Sequence, residues 1–64
     1  MKQEKTLIAS APTEKALLKI VQSYFYSPGI FFADNEVHNS TGAIKNFAVT
    51  QKGSRWRFER IHQQ

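Results

Sequence analysis

The sequence has no cysteine, only two prolines and three glycines, and no apolar run long enough to cross a membrane as a helix. Without cysteine there is no disulfide framework, and thiolate metal or redox chemistry is excluded. The longest apolar stretch near the N-terminus is Leu7-Ile8-Ala9, well short of the roughly 7–15 residues of a secretion signal. A cytoplasmic protein is the expectation. Also missing are a phosphate-binding glycine loop, a metal-ligand spacing and a catalytic signature. Neither a cofactor, a metal nor a small-molecule substrate is expected, and an enzyme is not.

What is present is enough apolar material for one core, 41% of 64 residues. A chain of this size buries only about 60% of the surface its unfolded form exposes, so its stability should be modest. Residues 1–64 are taken as one small domain, with 1–4 and 62–64 as frayed ends. The net charge of +4 is uneven. Four cations, Lys52, Arg55, Arg57 and Arg60, stand against one acid, Glu59, in the last fourteen residues. A basic end of this kind favours a polyanionic partner.

Hydrophobic periodicity suggests the elements. The segment 5–10, KTLIAS, has strand character and stops before Pro12. A helix follows over PTEKALLKIVQSYFY, capped by Ser10 or Ala11, with Pro12 in its first turn. Leu17, Leu18, Ile20, Val21, Tyr24 and Phe25 fall on one stripe at helical spacing. Ser27-Pro28-Gly29 ends the helix. Ile30 to Ala33 is a short apolar strand, Asp34-Asn35 a tight turn, and Glu36 to Asn39 a weak return strand. Residues 39–42 have loop composition.

The segment from 46 to 60 predicts a hairpin. With Lys52-Gly53 as the turn, Val49 faces Trp56 and Phe47 faces Phe58. One face then collects Phe47, Val49, Trp56 and Phe58, and the other Asn46, Ala48, Thr50, Arg55, Arg57 and Glu59. A slip of one residue would mix the two sets. Ile44 and Ile61 do not fit this pattern. The fold class expected is α+β: one amphipathic helix on a small antiparallel sheet of three to five strands, in the order β-α-β-(β)-β-β, ending in the C-terminal hairpin.

For function, the sequence suggests a non-enzymatic binding module. Lys52, Arg55, Arg57 and Arg60 are candidates for contact with nucleic-acid phosphates on a basic sheet face. The alternative is a protein-interaction or self-associating module, a homodimer included, using Tyr26, Ile30 and Phe32, with no nucleic-acid role. Trp56 and Phe58 are assigned to the core rather than to base stacking. A third reading uses Asp34, Glu36 and His38, which would share a face in one extended strand, as a hard-metal or acid-base group. His38 with Ser40 or Thr41 is a conceivable nucleophile-base pair. Both dissolve if Asp34-Asn35 is a turn and the hydroxyls have no orienting acid.

Overall fold

A computed structural model describes residues 4–62 of the chain. Within them one helix packs on two small antiparallel sheets. The strands are β1 (Glu4–Ala11), β2 (Phe31–Ala33), β3 (Glu36–Asn39), β4 (Gly42–Ala43), β5 (Phe47–Lys52) and β6 (Arg55–His62), and the helix α1 spans Glu14–Phe25. The α+β class and the terminal hairpin are as expected. The single sheet is not, because the six strands divide into β1-β6-β5 and β2-β3-β4. The expected frayed ends also need correction: Glu4 and His62 are cross-strand partners at the ends of β1 and β6. The rest of the two tails, 1–3 and 63–64, lies outside the described residues.

The helix starts later than its composition suggests. Thr13, in an extended conformation, accepts a hydrogen bond on its hydroxyl from the Ala16 N–H at 3.1 Å, and so acts as the N-cap. The strand β1 has by then used Ser10 and Ala11, and Pro12 falls in the short link. The other end closes on Tyr26, a left-handed residue at φ 53°, while the Ser27 N–H reaches the Gln22 carbonyl at 2.9 Å. The Gln22 side chain then donates to the carbonyls of Pro28 and Ile30, both at 3.2 Å, and fastens the following loop to the helix. The apolar stripe is narrower than its spacing implies. Leu17 and Val21 are fully buried, but Ile20 and Tyr24 stay on the flank, partly exposed.

The core joins Leu17 and Val21 to Ala11, Ile30, Val37, Val49 and Phe58. Phe58 is fully buried at the middle of β6, stacked on Phe47 with ring centres 5.4 Å apart. Burying a side chain of that size contributes about 2–3 kcal/mol. Tyr24 and Phe25 meet Phe47 and Phe58 edge-on from the helix.

In the C-terminal hairpin Lys52 faces Arg55 and Val49 faces Phe58, so the turn residues are Gly53 and Ser54. This is two residues out of the expected register. The faces survive because side chains alternate with period two. The turn chemistry explains the choice: Gly53 takes φ 62° at the first central position, where Lys52 would have to take it in the other register.

A bulge in β1 does a related task. Between Leu7 and Ala9 the pairing with β6 shifts by one, so Ile8 and Ala9 both serve the core and Ala11 is buried there. Ser10 is thereby turned to the opposite face. The two isoleucines outside the pattern have separate explanations. Ile44 precedes β5, behind Asn46 at φ 71°, and packs against the core. Ile61 lies on the face away from the helix, its N–H bonded to the Asn46 carbonyl at 2.8 Å.

The second sheet is built from turns. Asp34 and Asn35 both adopt positive φ, 53° and 60°, the pattern of a type I′ hairpin turn, and set Phe32 against Val37. The segment 39–42, expected as loop, ends β3 and begins β4, with Asn39 opposite Gly42. The Val49 N–H donates to the Asn35 carbonyl at 2.9 Å, which ties this sheet to β5. No helix among the described residues is long and apolar enough to cross a membrane.

Candidate functional site

Cross-strand partners share a face, so the register sorts the basic residues directly. Lys52, Arg55 and Arg57 lie on the helix-free face of the sheet β1-β6-β5. Arg60 does not: it faces Phe47 and Thr6, on the side that carries the aromatic core. Its place in the expected cluster is therefore corrected, because residues 57 and 60 on one regular strand point opposite ways. A cation that sequence reasoning missed takes that position. Lys5 pairs with Ile61, which puts it on the same face as Arg55 and Arg57. Only the pairing of β1 with β6 shows this, and no local pattern encodes it.

The cations differ in how far they are engaged. Arg55 donates from Nη2 to the Ser10 hydroxyl at 3.2 Å, a neutral partner made available by the bulge. Arg57 donates from Nε and Nη2 to one oxygen of Glu59, each at 3.3 Å. The Thr50 hydroxyl donates to the other oxygen of Glu59, also at 3.3 Å. Glu59 is 8% exposed, a buried carboxylate whose two oxygens both have partners, as burial requires. Arg57 is thus largely matched within the face. Lys5, Lys52 and Arg55 are exposed and outside any ion pair among the described residues.

The residues assigned to a protein-interaction surface separate as well. Tyr26 is 94% exposed and borders an open trough of about 530 Å³ with Lys19, Gln22, Ser23 and Pro28. Ile30, by contrast, is buried in the core, and Phe32 packs against it. Both are corrected as surface residues, since Phe32 pairs with Val37 on the inward side of β2. The exposed aromatic of that strand is Phe31, which stacks on His38 with ring centres 5.3 Å apart.

The acidic-histidine group does not assemble. Asp34 sits in the hairpin turn, leaving Glu36 and His38 on one face of β3 with Glu36 Oε1 3.4 Å from His38 Nε2. Among the described residues no group of three or more acids and histidines is placed to hold a metal. The Thr41 hydroxyl donates to Asn39 Oδ1 at 2.6 Å, not to His38. No family model, curated protein or solved structure matches the chain.

Proposed function

We propose that the protein is a non-enzymatic module that binds the nucleic-acid backbone through the helix-free face of β1-β6-β5, in the cytoplasm. The observation that carries this reading is the gathering of Lys5, Lys52, Arg55 and Arg57 on one open sheet face while Phe58 is buried on the other. Contacts of this kind go to phosphates, and with no aromatic platform on that face among the described residues they carry no base readout. Binding is expected to be tolerant of sequence and weak, with dissociation constants on the order of 10⁻⁴–10⁻⁶ M at physiological salt. Three cations outside any ion pair among the described residues imply a slope of log K against log salt of roughly −2 to −3.

The test is an amide NMR titration with random-sequence duplex and single strands at two salt concentrations. Shifts on β1, β5 and β6 that fade with salt are expected, and Lys52→Gln with Arg55→Gln should flatten the salt slope. Arg60→Gln, on the other face, is the control and should change it less. Absence of shifts at low salt removes the reading.

A second reading, protein interaction or self-association without nucleic acid, rests on Tyr26. A tyrosine exposed so fully while held in the left-handed region is a strained, uncovered aromatic, the kind of outlier that suggests a partner. Sedimentation over a concentration series checks it, with Tyr26→Ser as the variant that should return any dimer to monomer.

A further inference from the structure

The front of the molecule holds a smaller and better-defined cavity than the trough beside Tyr26. It lies where the helix N-terminus, the β2–β3 turn and β6 converge, and measures about 140 Å³. Phe32, Val49 and Trp56 provide apolar wall, and Glu14 and Asp34 contribute the charged groups. The cavity is half open to solvent and its lining is more polar than apolar, with room for one small head group. The cavity's frame is fixed on two sides. Asn35 is tied to Val49 by the 2.9 Å bond, and Glu14 follows directly on the Thr13 cap.

The charge around this cavity is the reverse of the rest of the protein. Of the chain's five acids two stand here, and none of the eight lysines and arginines among the described residues lines it. Neither Glu14 nor Asp34 forms an ion pair among the described residues. The nearby helix N-terminus carries roughly half a positive charge, which two carboxylates outweigh. An anion is therefore disfavoured. A compact cation, by contrast, has aromatic rings and carboxylates around it, the combination that recognises ammonium groups.

We propose that this cavity is a binding site for an alkylammonium head group, either of a free amine or of a lysine side chain on a partner. The juxtaposition of Trp56 and Phe32 with Glu14 and Asp34 selects a cation small enough to enter between them. Both carboxylates are solvent-exposed, so the affinity is weak, in the millimolar range expected of screened charge and open cation–π contact. The site stands on the opposite side of β6 from the basic face and does not depend on nucleic-acid binding.

Trp56 is the chain's one tryptophan and reports directly on the site. Its fluorescence is followed during titration with choline, with an N-acetyl-lysine amide, and with the neutral isostere 3,3-dimethylbutan-1-ol. A saturable change with a cation and none with the isostere is expected. Tighter binding of choline points to a free quaternary amine, and tighter binding of the lysine amide to a partner's side chain. Glu14→Gln and Asp34→Asn should each weaken binding about two- to fivefold, with thermal unfolding run alongside to show that both variants fold. An equal response to the neutral isostere, or no saturation with either cation, overturns the proposal.

Discussion

The two hairpins of this protein reach their registers by different routes. In the β5–β6 hairpin the strands are six and eight residues long, and apolar and charged side chains alternate clearly. In β2–β3 they are three and four residues, and only Phe32 and Val37 mark an inward face. Yet the short hairpin's register follows at once from Asp34-Asn35, both at positive φ. The long one admits two registers that sort the faces identically, with Lys52-Gly53 or Gly53-Ser54 in the turn. Alternation identifies which side chains go inward, whereas the turn decides which residues face each other. The strength of a strand pattern is therefore a poor guide to how firmly its pairing is specified.

The largest expected effect breaks the long hairpin. Phe58→Ala removes the fully buried ring that stacks on Phe47 and meets Tyr24 and Phe25, and should cost about 3–5 kcal/mol. For a chain this small such a loss is close to the whole stability. Chemical denaturation should show the variant mostly unfolded in buffer. If it instead unfolds at near the wild-type midpoint, the stacked aromatic group is not what holds β5 and β6 together.

The same contrast explains what was legible in the sequence. The helix, its buried residues Leu17 and Val21, and the inward assignment of Val49 and Phe58 follow from periodicity. So does the outward turn of Arg55 and Arg57, which a shift of two residues leaves intact, while Lys52, expected in the turn, joins them on that face as the last residue of β5. Arg60 shows the limit of reading charge by proximity in sequence: three positions from Arg57, it lies across the sheet from it. Lys5 shows the limit of local reading altogether, because its place depends on a strand pairing 56 residues away and on a bulge within that strand. Ile30 and Phe32 look like an exposed apolar strand only while the second sheet is unknown. Once β2 pairs with β3, its inward side completes the core. Long-range pairing and bulges are set by the packed whole, which a window of neighbouring residues does not contain.

A smaller effect tests the turn of the long hairpin. Gly53→Ala places a Cβ in open space, with no atom within 4 Å, so any loss comes from the backbone alone. At φ 62° that loss should be about 1 kcal/mol, read as a lower denaturation midpoint with an unchanged slope. An unaffected midpoint would mean that position 53 does not need positive φ and that the hairpin pairs differently.

The smallest effect has the opposite sign and belongs to the short hairpin. Asn35 occupies the second central position of its turn at φ 60°, where glycine is the residue that type I′ geometry favours. Asn35→Gly keeps the carbonyl that accepts the Val49 N–H, since that bond is made by the main chain. Glycine removes the cost of a side chain in the left-handed region but adds freedom to the unfolded chain, and the two terms partly cancel. A gain of roughly 0.5 kcal/mol or less is expected, visible as a small rise in midpoint. A clear loss would show that the Asn35 side chain itself stabilises the turn. The short hairpin would then owe its register to a specific side chain rather than to backbone geometry.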